Sequence, residues 1–232
     1  MKISLRIFAI GVVLLAPFIF PDYRTQLSFL WVMVIFALTW DIIGGQMGYN
    51  SFGNILFFGI GVYTCAVFQR DSGLEYFTAL FIGMALGGLL ATIAAIFFGK
   101  ALLDARGHYF AIGTLGLGVA AGEIAAGWDY IGAGSGMSVP LFPGDIQNRD
   151  LFFYYIFLTW AGFTLYFLYR LYRTRFGLAL NAIRDDEDKA EAMGLHTSRY
   201  KITAWCVSAF FLAVAGGAVG NLIGFIDPKD VA

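Results

Sequence analysis

The charged side chains of this chain are concentrated in one segment, residues 170–201. Seven of the 15 Lys and Arg residues and five of the 16 Asp and Glu residues fall there. Ion pairing with a partner surface is the chemistry open to such a cluster. Inserting one charge into the centre of a bilayer costs about 3 kcal/mol. Residues 170–201 are therefore predicted to lie in water.

Two short helices are predicted within this segment. Three apolar residues recur at helical spacing and predict one amphipathic helix: Phe176, Leu180 and Ile183. Asp185 is the predicted N-cap of a second helix, whose first turn carries the acidic residues 186–188 at the positive end of the dipole. Gly194 is placed to end that helix after Met193. We expect a pair of helices that projects from the membrane on short tethers.

The sequence lacks the residue patterns of common catalytic and metal-binding sites. His108 and His196 have no Cys, His or carboxylate three or four residues later, so no metal site is predicted. The sequence has no GxSxG nucleophile elbow, and the glycine-rich run 132–136 lacks the Lys-Ser/Thr ending of a phosphate-binding loop. That run predicts a turn or a re-entrant loop. We therefore expect neither an enzyme nor a bound cofactor.

Composition indicates the class of protein that carries these residues. The chain has 232 residues, of which 59% are hydrophobic and 13% charged, whereas globular proteins average about 25% charged residues. The predicted fold class is all-α, a polytopic integral membrane helix bundle. A net charge of −1 without a basic run argues against nucleic-acid binding.

Apolar runs of about 20 residues are needed to span a bilayer as helix, and seven are predicted. They are residues 4–20, 26–43, 52–68, 76–98, 108–127, 151–169 and 202–226. The first run is interpreted as a retained helix, because no small-x-small cleavage site follows it.

The basic residues predict how the bundle is oriented. If residues 170–201 are cytoplasmic and the spans alternate, the inner segments hold eleven Lys and Arg residues. The outer side keeps four, Arg24, Arg70, Arg149 and Lys229. Positive residues favour the cytoplasmic side, so the N-terminus is predicted to be cytoplasmic.

Glycines spaced four apart predict close helix packing within this bundle. The pairs are Gly83 with Gly87, Gly118 with Gly122, and Gly216 with Gly220. Small residues at this spacing let helix backbones approach each other in a membrane. A pore-lining or hinge role stays open for Gly113, Gly116 and Gly118.

Five separated stretches resemble one family in that family's order. They are GYNSFG (48–53) running into FFGIGVYT (57–64), GHYFAIGTL (107–115), GAGSGMSVP (132–140), TRFGLALNAIRDDEDKAEAMG (174–194), and the span ending GFIDP (224–228). Together they resemble the LivM-type permease subunit of the branched-chain amino acid ABC importer family. The resemblance covers nearly everything from about residue 40 onward.

The resemblance implies a single ABC-importer transmembrane domain over residues 1–232, with a cytoplasmic EAA coupling loop at 170–201. Such a loop docks on an ATPase through residues that correspond here to Asp188, Lys189, Ala190, Glu191, Ala192, Met193 and Gly194. The small Ala190 and Ala192 would permit close approach. The implied substrate path includes Ser51, Gly53, Asn54, Gly113, Thr114, Gly134 and Ser135.

The same resemblance implies partners and a location. The partners are a homologous permease subunit, two ABC ATPase subunits that bind ATP and Mg²⁺, and an extracytoplasmic solute-binding protein. The implied cargo is Leu, Ile or Val, and the implied location is the bacterial inner membrane, in contact with its lipid.

Two departures and two alternatives accompany this expectation. The span entrance of the family is usually Ser-Leu-Gly-His, whereas residues 51–54 read SFGN. Members run on for about two more spans after the GFIDP-like turn, so a chain lacking its C-terminal spans is expected. A permease for urea, amides or other amino acids shares much of the pattern. A secondary transporter or channel would instead use a membrane carboxylate such as Asp41 or Glu123.

Overall fold

The computed structural model describes residues 2–105 and 107–228, with side chains described from residue 11 except that of Arg106. Nine α-helices lie within these residues: α1 Lys2–Ile19, α2 Arg24–Trp40, α3 Asn54–Asp71, α4 Tyr76–Leu102, α5 His108–Gly127, α6 Ile146–Tyr172, α7 Arg175–Asp185, α8 Glu187–Ala192 and α9 Thr197–Ile223. A π-helix, Asp41–Gln46, directly continues α2. Short 3₁₀ turns at Pro21–Tyr23, Asp129–Ile131 and Ala133–Ser135 complete the helical elements of this part of the chain.

Five helical segments of the described residues are long and apolar enough to cross a membrane. They are Pro21–Gln46, Tyr76–Leu102, His108–Gly127, Ile146–Tyr172 and Thr197–Ile223. The other two predicted spans, 4–20 and 52–68, are also helical, as α1 and α3. Helix α3 carries Asn54 at its start and Arg70 and Asp71 at its end, and it packs between α4 and α9. It needs less apolar surface because neighbouring helices cover it.

Most span ends differ from the prediction, by up to five residues, and two of the differences have a clear structural cause. Residues 52–53 are not helical, because the chain is irregular between the π-helix and α3. The last span ends at Ile223, where Gly224 adopts a left-handed φ of 83°. Beyond it, β2 (Phe225–Ile226) pairs antiparallel with β1 (Met137–Ser138), Met137 opposite Ile226.

The loops fall at two ends of the bundle. At the first end, β1 pairs with β2, and Arg70 donates to the carbonyl of Tyr130 at 3.0 Å. The rings of Phe77 and Phe152 pack edge-on there, with centroids 5.3 Å apart. We call this the strand end. The opposite end holds α7 and α8, and we call it the hairpin end. Arg106 and Lys229, used in the charge count, lie outside the described residues, as do the side chains of Lys2 and Arg6.

The centre of the bundle is a contact of backbones among α3, α4 and α9. A Cβ added to Gly61 on α3 would collide with the carbonyl of Ala213 on α9. A Cβ on Gly87 of α4 would lie 3.0 Å from the Cα of Gly61. Gly216 likewise faces the carbonyl of Phe58. The predicted packing role of the glycine pairs is confirmed for Gly87 and Gly216 by these contacts.

Gly61→Ala is expected to destabilise the bundle by about 1 to 3 kcal/mol, because the methyl group forces two helix backbones apart. Thermal unfolding of the detergent-solubilised chain would show this as a lower Tm. Gly162→Ala is the matched control, since α6 leaves open space around that position and alanine favours helix. Equal Tm values for the wild type and Gly61→Ala would contradict the packing described here.

Candidate functional site

Helix α7 forms as the sequence predicts. The hydroxyl of Thr174 accepts a hydrogen bond from the Phe176 amide at 3.2 Å and caps the helix. Leu180 and Ile183 are buried, and the ring of Phe176 lies 5.6 Å from that of Tyr200 at the start of α9. The amphipathic edge therefore packs against the bundle. The expectation that the pair projects freely on tethers is wrong, because this apolar edge gains more by burial than by exposure.

Helix α8 begins one residue later than predicted. The side chain of Asp186, not that of Asp185, accepts the amide of Lys189 at 3.0 Å. Asp185 is exposed and pairs with Arg184 at 3.3 Å. Gly194 has a left-handed φ of 89°, and the Leu195 amide donates to the carbonyl of Ala190 at 3.1 Å. This closes the helix as expected for a C-terminal glycine.

The cap of α8 depends on the charge of Asp186. The ammonium group of Lys189 lies 2.7 Å from its carboxylate, and this hydrogen bond, with the backbone bond, lowers the pKa of Asp186 below its ordinary 3.8. A lowered pKa in the folded state means that the carboxylate stabilises α8 above pH 3.8. This contribution disappears as the pH falls through the lowered value.

Six of the seven predicted docking residues form one exposed edge at the hairpin end. They are Asp188, Lys189, Glu191, Ala192, Met193 and Gly194. Met193 is 89% exposed, a large value for an apolar side chain. Ala190 is only 5% exposed and lies in the same hydrophobic cluster as Trp205. The expectation that Ala190 faces a partner is therefore wrong, since it packs α8 onto its own bundle.

A buried ion pair attaches α8 to the transmembrane helices. The ammonium group of Lys201 on α9 lies 2.8 Å from Oε1 of Glu187. It also donates to the carbonyl of Leu103 at 2.6 Å and to the hydroxyl of Tyr49 at 3.2 Å. The Tyr49 hydroxyl in turn donates to Oε2 of Glu187. Removing one partner of such a buried pair typically costs about 3 to 5 kcal/mol.

Sequence reasoning missed this cluster. One signal was present, because Lys201 directly precedes an apolar span and charges in that position need a partner. Five acidic residues of the same segment were candidates, and spacing alone does not select Glu187. Tyr49 and Leu103 are too distant in sequence to be found by periodicity.

A second set of polar contacts holds α7 and the end of α6 to the π-helix. The hydroxyl of Tyr172 donates to Asp41 at 3.1 Å, and Gln46 donates to the same carboxylate at 3.2 Å. Arg184 donates to the carbonyl of Gly45 at 3.2 Å. Asp41 thus accepts one hydrogen bond from within the π-helix and one from the end of α6. Glu123 is exposed on α5.

Four of the predicted substrate-path residues come together around the non-helical segment 47–53. We call this segment the interruption between α2 and α3. The amide of Phe52 donates to the hydroxyl of Thr114 at 3.1 Å, and a Cβ on Gly53 would strike the Thr114 carbonyl. Ser51 and Asn54 are buried beside them, and Ser51 Oγ, Asn54 Nδ2 and Asn54 Oδ1 have no hydrogen-bond partner among the described residues. Buried polar atoms without partners are rare in proteins, and each calls for an explanation such as a functional role or a bound water or ion.

The other three path residues lie elsewhere or serve packing. Gly113, next to Thr114, faces the side chain of Leu102 at 3.2 Å from its Cβ position. Gly134 and Ser135 lie in the 3₁₀ turn Ala133–Ser135 next to β1, at the strand end. The predicted turn at 132–136 is confirmed, but the structure does not bring it to the interruption between α2 and α3.

A cleft of about 1080 Å³ opens between α3, α4 and α5. Its walls are apolar or small residues, among them Leu56, Ile60, Leu90, Leu117 and Ala121. Asp71, Ser72 and Tyr130 lie at its margin towards the strand end. The sequence indicated the apolar helices but not the gap between them, because a gap depends on how far α5 lies from α4.

Comparison with known proteins decides the family. The sequence profile of the family described as "Branched-chain amino acid transport system / permease component" matches residues 25–232. The chain belongs to this permease family. It is accordingly a polytopic helical membrane protein, as predicted, and the family is one of transport components.

Two curated relatives are similar to this permease family member. Both are named high-affinity branched-chain amino acid transport system permease protein LivM. The protein of Escherichia coli (strain K12) is 27% identical over an alignment of 260 positions. This alignment covers 97% of this chain and 59% of the relative. The protein of Salmonella typhimurium (strain LT2) is 28% identical over an alignment of 230 positions. This alignment covers 85% of this chain and 52% of the relative. The chain thus spans between half and three-fifths of the length of these relatives, and no solved structure matches it.

Asp186→Ala is expected to speed amide hydrogen exchange in residues 187–193 at neutral pH, because the cap of α8 is removed. Asp185→Ala is the control and should leave this exchange unchanged, since Asp185 caps no helix. In the wild type, exchange corrected for its intrinsic pH dependence should rise only as the pH falls below 3.8. Equal protection in both variants would show that Asp186 is not the cap.

Proposed function

We propose that this chain is a permease subunit of an ATP-driven importer and forms part of the path for branched-chain amino acids. The observation that carries the proposal is the family match over residues 25–232. The two relatives, whose names specify branched-chain amino acid transport, support the choice of Leu, Ile and Val as cargo. The apolar cleft between α3, α4 and α5 is compatible with aliphatic side chains.

The hairpin end is proposed to face the cytoplasm of a bacterium, with the N-terminus on the same side of the inner membrane. Seven Lys and Arg residues lie in residues 170–201 alone, and positive charge favours the cytoplasmic side. The alternation of the described helices between two ends supports an even number of crossings between the N-terminus and this segment.

The exposed edge of α8 is proposed to dock on an ATPase subunit. This edge offers the charged side chains of Asp188, Lys189 and Glu191 before one large apolar side chain, Met193. Interfaces commonly combine an apolar anchor with a polar rim. ATP and Mg²⁺ would be bound by two ATPase subunits and not by this chain, whose sequence has no phosphate-binding loop.

Two further partners complete the proposed complex. A homologous permease subunit would pair with this one in the membrane. A solute-binding protein would deliver amino acid at the strand end, where loops 128–145 and 224–228 come together. Closure of the ATPase dimer would then shift the helices between two arrangements.

Glu191→Arg is expected to abolish ATP-driven uptake of Leu, because charge reversal in the docking edge opposes binding of the ATPase. Copurification of the ATPase with the tagged permease should fall by at least about tenfold. Glu75→Arg, the same change at an exposed position of the strand end, should leave both unchanged. Wild-type uptake and copurification in Glu191→Arg would refute the docking proposal.

Competition assays on cells with the complete transporter test the cargo. Radiolabelled Leu uptake should be inhibited by excess Leu, Ile and Val and not by urea. Inhibition by urea alone would reject branched-chain amino acids as the cargo.

Labelling of single cysteines tests the orientation. With Cys206 replaced by Ala, Glu75→Cys should react with an impermeant maleimide in intact cells, and Ser198→Cys only after the membrane is opened. Both positions are exposed. The reverse pattern would overturn the proposed orientation.

A further inference from the structure

The side chain of Lys201 joins four separate parts of the chain at one point. Its ammonium group has three donors, and each has an acceptor. These are Glu187 of α8, the carbonyl of Leu103 at the end of α4, and the hydroxyl of Tyr49 in the segment between the π-helix and α3. Lys201 itself belongs to α9 and is 2% exposed. One buried cation therefore fixes the position of α8 against α9, α4 and this segment.

We propose that Lys201, Glu187 and Tyr49 are the joint that transmits movement of α8 to the polar interruption between α2 and α3. The inference rests on the proposed function, because it assumes that an ATPase moves α8. It assigns positioning roles to three residues outside the exposed docking edge. We call these three residues the buried joint.

Tyr49 connects the buried joint to the candidate path residues along a short stretch of backbone. Its amide donates to the carbonyl of Ile43 at 2.9 Å, which ties the segment to the π-helix. Two residues further on, the carbonyl of Ser51 accepts the indole N–H of Trp40 at 3.1 Å. Ser51 and Asn54 carry three of the seven buried side-chain nitrogen and oxygen atoms that have no partner among the described residues. These atoms lie within five residues of Tyr49 in the sequence. A displacement of Tyr49 therefore has only a short stretch of backbone to cross before it moves them.

The hairpin also holds this segment from a second side. A Cβ on Gly48, where φ is 79°, would lie 2.8 Å from Cγ of Arg184 on α7. Tyr49 packs its ring edge-on against Phe110 of α5, with centroids 5.2 Å apart. Tyr49, which is buried, is thus enclosed by α5, α8 and α9, whereas Gly48 contacts α7 but is itself exposed. Rigid enclosure is what a transmitting element needs, since loosely packed groups absorb movement.

The polar groups of the buried joint indicate that it fixes the orientation of α8 and adds little to stability. A buried ion pair adds little stability over apolar residues of similar volume, because desolvation offsets the attraction. It does impose fixed distances and directions on every partner. Apolar replacements of both charges would keep the hairpin packed, α7 through Leu180 and Ile183 and α8 through Ala190, but would release the orientation of α8.

The variant that tests the buried joint is Glu187→Met with Lys201→Met, which leaves no buried charge alone. The assembled complex, reconstituted in nanodiscs and proteoliposomes, should form at wild-type yield and hydrolyse ATP. The number of Leu molecules imported per ATP should fall about tenfold. Arg149→Met with Asp150→Met removes an ion pair at the strand end and should keep the wild-type ratio.

A distance measurement gives a readout that does not depend on transport. Spin labels at Ala192→Cys on α8 and Asn50→Cys, both exposed, are placed in the full chain with Cys206 replaced by Ala. The distance distribution should be narrow in the wild type. It should broaden in the double Met variant and in Tyr49→Phe, which keeps the ring but loses the hydroxyl.

The outcomes separate the two proposals. Absence of ATP-driven uptake by the wild-type complex would overturn the proposed function. Normal wild-type uptake with an unchanged import ratio in the double Met variant would overturn the buried joint alone. If the double Met variant does not assemble, an unbroadened distribution in Tyr49→Phe would overturn it, and a broadened one would support it.

Discussion

Direct contact of helix backbones is the constraint on which the rest of the structure depends. Apolar side chains gain little by leaving lipid for a helix interface, so membrane helices associate mainly through close packing. Here Gly61, Gly87 and Gly216 bring α3, α4 and α9 into contact without intervening side chains. In the resulting core, α3 is covered by α4 and α9, which also pack against each other. This cover permits the irregular backbone ahead of α3, since non-helical backbone at membrane depth is tolerated only when protein surrounds it.

The hairpin end is built by a different interaction. The apolar edge of α7 and Ala190 of α8 join the hydrophobic cluster around Trp205, while Lys201 and Glu187 pair in the interior. One side of the hairpin is thereby committed to the bundle. The other side, with Met193 at its most exposed point, faces away from the bundle. Under the proposed function, an edge attached through these buried contacts would move with the helices, which a loosely tethered pair would not do.

The sequence was sufficient for the fold class, the helices and the family resemblance, because these depend on local apolar runs and ordered motifs. The span 108–127 coincides with α5, and Gly194 ends α8 as predicted. The cap at Asp186 in place of Asp185 could not be chosen, since four consecutive acidic residues offer equivalent caps. Ala190 was assigned to the wrong face because a six-residue helix has too few positions to define a face. The contact of Lys201 with Tyr49 and Leu103 joins residues about 100 or more apart, beyond the reach of any periodicity.

Photo-crosslinking from Met193 in native membranes tests most directly whether the exposed edge of α8 meets an ATPase. A benzoylphenylalanine residue at this position should yield, on illumination, an adduct with the ATPase subunit of the complex. The same residue at Leu141, 88% exposed in the loop after β1 at the strand end, should yield no such adduct. An adduct from Met193 with lipid or with a solute-binding protein, and none with an ATPase, would contradict the docking role and the orientation together.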